Sequence, residues 1–95
     1  MNPHGEVRAR FRIVGRVQGV GFRWWAARQA RALALAGVVR NEPDGSVEVE
    51  AEGPAGEVAQ LRALLGEGPP TASVEQLEEL PPTRAPLPLP FAIRT

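Results

Sequence analysis

The chain contains no cysteine, no lysine and no tyrosine, and its one histidine is His4. Without cysteine there can be no disulfide, thiolate nucleophile or thiolate metal site, and a lone histidine cannot build a His-based triad or a multi-histidine metal centre. All eleven basic side chains are arginines, which form no Schiff bases, serve poorly as general bases and bind anions well. No apolar run approaches the roughly 18 residues of a spanning helix. Met1 to Glu6 lacks the basic-then-apolar order of a secretory leader. A cytoplasmic protein with no membrane partner and no metal is therefore expected.

Ninety-five residues, 43% apolar and 23% charged, suit a single domain over 1–95 with one core. A chain of this size buries about 60–65% of its unfolded surface. The net charge of zero conceals an asymmetry: residues 1–41 hold eight Arg against Glu6, and residues 42–95 hold three Arg against nine Glu and Asp44. A basic half can signal nucleic acid, but strands from the two halves interleaved in one sheet would cancel the field locally. No obligatory nucleic-acid partner is expected.

Glu6 to Val14 alternates Val7, Ala9, Phe11 and Ile13 with Arg8, Arg10 and Arg12, the pattern of a half-buried strand. Gly15 to Gly21 holds three glycines and reads as a loop. A helix follows over about Phe22 to Ala36, with Phe22, Ala26, Ala30 and Leu33 near one face and Gly37 as its stop. Val38–Glu42, Pro43-Asp44-Gly45 and Ser46–Glu52 form a hairpin, since Asp-Gly tolerates the positive backbone angles of a tight turn. In its second strand Val47, Val49 and Ala51 alternate with Glu48, Glu50 and Glu52.

Pro54 suits a helix start, and Val58, Leu61 and Leu65 recur at helical spacing, so the second helix covers about Ala55 to Leu65. Ala72 to Leu80 reads as a strand in which Val74 and Leu77 face the same side only if a bulge intervenes. The five prolines between Pro81 and Pro90 make an extended connection, poor in backbone donors. Phe91 to Thr95 can add a short edge strand. This β-α-β-β-α-β order predicts an α+β, ferredoxin-like sandwich, an antiparallel sheet with both helices on one face. Its first strand lies beside its third, so the Arg8, Arg10, Arg12 row meets the Glu48, Glu50, Glu52 row in cross-strand pairs on a solvated face. Each such exposed pair contributes at most ~1 kcal/mol.

Gly15-Arg16-Val17-Gln18-Gly19-Val20-Gly21-Phe22-Arg23 joins a strand to a helix, where free backbone N–H groups and the helix dipole favour an anion. Arg23 in the first helical turn opposes that dipole unless an acid or a bound anion offsets it. The loop is neither a Walker loop nor a dinucleotide fingerprint. On its own it is consistent both with an anion site and with a plain glycine turn.

Together with Gly37-Val38-Val39-Arg40-Asn41 and Pro43-Asp44-Gly45-Ser46-Val47, that segment resembles the acylphosphatase family over nearly the whole chain. The resemblance implies hydrolysis of small-molecule acyl phosphates to a carboxylate and inorganic phosphate, with no cofactor or metal. It implies that Arg23 and the amides of Gln18, Gly19, Val20, Gly21 and Phe22 bind the phosphate, and that Asn41 positions the attacking water. A monomer is expected. Val38 departs from the tryptophan common in the family after that glycine, and the proline-rich connection is also unusual. Adjacent Trp24 and Trp25 point about 100° apart on a helix, so one belongs to the core and the other is partly exposed. His4 reads as a terminal residue without a role, and the Glu48, Glu50, Glu52 row as a solvated face rather than a metal site. The competing reading is a non-catalytic ferredoxin-like module that binds phosphate groups or nucleic acid through the same loop. Asn41, needed for hydrolysis and not for binding, separates the two.

Overall fold

The computed structural model describes residues 5–95; His4 lies outside them. Strand β1 (Glu6–Arg16) is followed by α1 (Phe22–Ala32), β2 (Ala36–Asn41), β3 (Val47–Pro54), α2 (Ala55–Glu67), β4 (Ser73–Leu80) and β5 (Ala92–Arg94). The sheet order is β4-β1-β3-β2-β5. The first four strands pair antiparallel, whereas β5 joins β2 in parallel, which makes the expected antiparallel sheet a mixed one. Among the described residues no helix is long and apolar enough to cross a membrane.

The alternation in β1 and β3 places Ala9, Phe11, Ile13, Val47, Val49 and Ala51 in one core with Phe22, Ala26, Ala27 and Ala30 of α1 and Val58, Leu61 and Leu65 of α2. Both helices therefore cover the same face. Val7, expected inward, is 38% exposed near the sheet's end. Val74 and Leu77 both pack against the core because Val14 pairs with Gln76 and Gly15 with Val74, leaving Glu75 as the bulged residue. Gly15 is thus part of β1, and the loop begins only after Arg16. Trp25 packs edge-on against Phe22 with ring centroids 5.4 Å apart, while Trp24 is 67% exposed.

Helix α1 ends at Ala32, four residues before the expected boundary, and Gly37 lies within β2 rather than at the helix end. Ala34 adopts a left-handed conformation with φ 56. Around it the Leu35 N–H donates to the Ala30 carbonyl and the Ala34 N–H to the Arg31 carbonyl, each at 3.0 Å. This is a Schellman closure with alanine in the place that favours glycine. Gly37 is needed for another reason: a Cβ there would lie 2.6 Å from the Phe91 ring, which fills the space beside it.

The outer face of the sheet departs furthest from expectation. The arginine and glutamate rows do lie in register, Arg8 opposite Glu52, Arg10 opposite Glu50 and Arg12 opposite Glu48. Two of the glutamates are not solvated: Glu48 is 6% and Glu50 2% exposed. The Pro81 to Pro90 segment leaves β4 at one edge, passes over β1 and β3, and returns as β5 beyond β2. Along the way Thr83 donates its N–H and its hydroxyl to the two Glu50 carboxylate oxygens, each at 2.7 Å. Arg8 Nη1 donates to the carbonyls of Thr83 at 2.8 Å and Ala85 at 2.7 Å, and Arg10 Nη1 to that of Pro81 at 3.1 Å. A strap short of its own backbone donors is thus held by side chains of the sheet. Val38 is also buried, at 7% exposure, but outside the core cluster.

The ion pairs follow from this covering. Arg8 Nε reaches Glu52 at 3.3 Å, Arg10 pairs diagonally with Glu48, and Arg12 contacts Asp44 at 2.6 Å and Glu78 at 2.9 Å. A buried carboxylate stripped of its partners is far more costly than an exposed one, so the network is worth more to integrity than isolated surface pairs.

Two stability measurements test these features. Ala34→Gly removes a left-handed alanine at an exposed position and is expected to raise unfolding free energy by about 0.5–1 kcal/mol in urea titration; no gain would mean the closure carries no strain. Thr83→Val deletes a hydrogen bond to a buried carboxylate and is expected to lower stability by about 1.5–3 kcal/mol. A loss below about 0.3 kcal/mol would show that the strap is not held there.

Candidate active site at the amino end of the first helix

Between β1 and α1 the chain turns through Gly19, with φ 72, and Gly21, with φ 79. At both positions a Cβ would meet nothing within 4 Å, so it is the backbone conformation rather than lack of room that calls for glycine. Gly21 is the N-cap of α1, with no side-chain capping bond and no acidic residue in the first turn. Among the described residues no side chain caps the first amides of the helix, and no acid in its first turn offsets the positive end of the dipole.

Three contacts hold this turn. Val17 is 1% exposed and anchors its start in the core. The Gln18 side-chain amide donates to the Glu42 carbonyl at 2.8 Å and the Ser46 carbonyl at 2.9 Å, tying the turn to the β2–β3 hairpin. The Thr71 hydroxyl donates to the Val20 carbonyl at 2.8 Å. The hairpin itself is closed by Asp44, whose Oδ1 accepts the Ser46 N–H at 2.9 Å and the Ser46 hydroxyl at 2.6 Å. Because Asn41 ends β2 just before that hairpin, the Gln18 link brings Asn41 to the turn.

The result is a cavity of about 90 Å³ lined by Val17, Gly19, Gly21, Phe22, Arg23, Trp24 and Asn41. Of the residues singled out from sequence, Arg23, Asn41, Gly19, Gly21 and Phe22 meet in it. Gln18 and Val20 are absent from its lining; the Gln18 side chain is engaged with the hairpin, and Val20 packs against the core. Three contributors were not anticipated: Val17 as anchor, Trp24 at the rim, and the Arg94 carbonyl, which accepts a hydrogen bond from Arg23 Nη1 at 2.9 Å. No sequence signal marks that last contact, since it depends on where β5 docks.

A guanidinium oriented by a carbonyl, free helix amides and a side-chain amide around a small concavity can bind a tetrahedral dianion and order one water beside it. Lining groups of this kind supply positioning and electrostatic stabilisation.

Comparison with known proteins agrees over most of the chain. The acylphosphatase family model matches residues 9–87. An acylphosphatase of Salinibacter ruber is 53% identical over 73 residues, covering 77% of this chain and 77% of the relative. One from Thermococcus kodakarensis is also 53% identical over 73 residues, covering 77% and 80%. The structure of an acylphosphatase from Coxiella burnetii superposes with a TM-score of 0.82 at 33% identity, over 99% of this chain and 100% of that one.

The Ser46 hydrogen bonds, followed by that of Arg12, hold the Asp44 carboxyl well below the usual carboxylate range. A depressed folded pKa stabilises above the unfolded value of about 4, and that contribution disappears as pH falls through the folded value. Asp44→Asn is accordingly expected to be less stable than the parent at pH 7, with the gap narrowing below about pH 4. Thermal melts from pH 7 to pH 2 would reveal this; a gap independent of pH would show that the charge on Asp44 is immaterial.

Proposed function

Because this chain belongs to the acylphosphatase family, we propose that the cavity at the amino end of α1 is where it hydrolyses acyl phosphates, with Arg23 holding the phosphoryl group and Asn41 the water. The activity is cleavage of the carboxyl-phosphate bond to a carboxylate and inorganic phosphate. The observation that carries the residue assignment is the meeting of Arg23, Asn41 and the uncapped helix amides around one small cavity.

The phosphoryl oxygens accept hydrogen bonds from the amides of Gly19, Gly21 and Phe22, which line the cavity, and from the Arg23 guanidinium, whose fork can grip two oxygens at once. The Arg94 carbonyl limits the swing of Arg23. The Asn41 side-chain oxygen accepts a hydrogen bond from water and aims it at phosphorus. The water oxygen bonds to phosphorus, the bond to the acyl oxygen breaks, and the carboxylate leaves with the electron pair. Excess proton passes to phosphate or solvent. With a carboxylate as leaving group, whose conjugate acid has a pKa near 4, no general acid is required. Charge spread over the phosphoryl oxygens is met by donors already in place. All of these groups lie in one domain, and action as a monomer is part of the proposal.

The non-catalytic alternative differs at one residue. Asn41→Ala is expected to lower kcat for acetyl phosphate by about 100-fold or more while inorganic phosphate still inhibits competitively at nearly its original concentration. Arg23→Ala is expected to lose at least ~3–4 kcal/mol of barrier lowering and phosphate affinity as well. Steady-state kinetics in buffer with chelator test both. Full turnover by Asn41→Ala would end the water-positioning role, and a folded parent that bound phosphate without hydrolysis would favour the binding module.

A further inference from the structure

Trp24 is the third residue of α1 and lies 67% exposed. Its neighbours along the helix have clear employment: Phe22 is buried, Trp25 packs against Phe22, and Ala26 and Ala27 are buried against the sheet. An aromatic side chain of this size ordinarily buries 150–250 Å², and here the fold accounts for only a small part of it. Yet Trp24 lines the same cavity as Arg23 and Asn41.

The cavity's size bears on what Trp24 can touch. At about 90 Å³ it is small, with room for a phosphoryl group and its attacking water. The acyl portion of a substrate must then project past the rim. Of the apolar side chains that line the cavity, Val17 and Phe22 are each 1% exposed and offer no surface. The remaining lining residues are two glycines, Arg23 and Asn41. Among the described residues that line the cavity, Trp24 is the one apolar side chain with substantial exposed surface.

Resting on the hydrolytic reading above, we infer that Trp24 is the platform for the acyl group and gives the enzyme a preference for acyl phosphates with an aromatic or extended apolar acyl portion. The indole meets the acyl group by stacking and apolar contact. That contact lies away from the reacting phosphorus and is the same in the ground and transition states. It therefore lowers KM and leaves kcat almost unchanged.

The test compares benzoyl phosphate with acetyl phosphate in the parent, Trp24→Gln and Trp24→Phe, with inorganic phosphate as competitive inhibitor throughout. Glutamine keeps helix propensity at this exposed site; phenylalanine keeps a ring. In Trp24→Gln the KM for benzoyl phosphate is expected to rise about five- to tenfold, in line with a partly exposed aromatic contact. The KM for acetyl phosphate, kcat for both and the phosphate inhibition constant should change less than about twofold, and Trp24→Phe should recover most of the preference. Equal losses on both substrates, or none on either, would overturn the platform. Failure of the parent to hydrolyse acetyl phosphate would instead count against the hydrolytic reading, so the two ideas fail by different results.

Discussion

Helix α1 lies on the sheet through three alanines, Ala26, Ala27 and Ala30, each fully buried. Such small side chains leave little between the helix backbone and the strands, and close packing of this kind cannot be shifted without opening voids. The direction of the helix axis, and with it the place where its positive end emerges, is therefore set by the core. Phe22 at the first turn adds to this by burying its ring against Trp25 and the sheet. Everything the site needs follows from that end being held still beside the last residue of β2.

The chain leaves this end of the helix electrostatically incomplete. Glycine at the N-cap supplies no side-chain acceptor, the first turn has no acid, and an arginine stands where a cation is disfavoured. These choices cost stability, and the proposed binding of a dianion in the turn would recover that cost. A family of enzymes whose chemistry is phosphoryl transfer needs little more than such preorganised donors and an ordered water. The absence of lysine, cysteine and a usable histidine is then unsurprising, since the leaving group asks for no proton.

The opposite face of the sheet handles charge in another manner. Arginines of the first half and acids of the second meet across β1 and β3, and the proline-rich strap crosses them, holding the buried Glu50 through Thr83 and contacting Arg8 and Arg10. Glu50 is satisfied by Thr83 and approached by Arg8 at 3.7 Å. Buried charge of this sort contributes less to net stability than to a single arrangement, because any other path for the strap would leave a carboxylate or a guanidinium unpaired. The same strap delivers Phe91 into the space beside Gly37 and the Arg94 carbonyl to Arg23, so the covered face and the site are joined through one stretch of chain.

Patterns that act over a few residues were legible in the sequence. Period-two alternation identified β1 and β3, the β-α-β-β-α-β order set them side by side, Asp-Gly identified the hairpin, and the offset of Val74 and Leu77 required the bulge now seen at Glu75; the glycine loop ending in Arg23 pointed to the cavity it shares with Asn41 only through the family resemblance. Other features depend on partners distant in the chain. Ala34 can end α1 in a conformation expected of glycine because the packing of Leu35 and the start of β2 leave the helix nowhere to continue. Glu50 is held by a segment more than thirty residues away, whose prolines announce an extended path but not the surface it crosses. Likewise the employment of Gln18, the exposure of Trp24 and the contact from Arg94 arise only once loop, hairpin and β5 converge. Local steric preference and hydrophobic period are written residue by residue; which side chains are desolvated, and which donors face the same cavity, is decided by the tertiary meeting of elements that the sequence keeps apart.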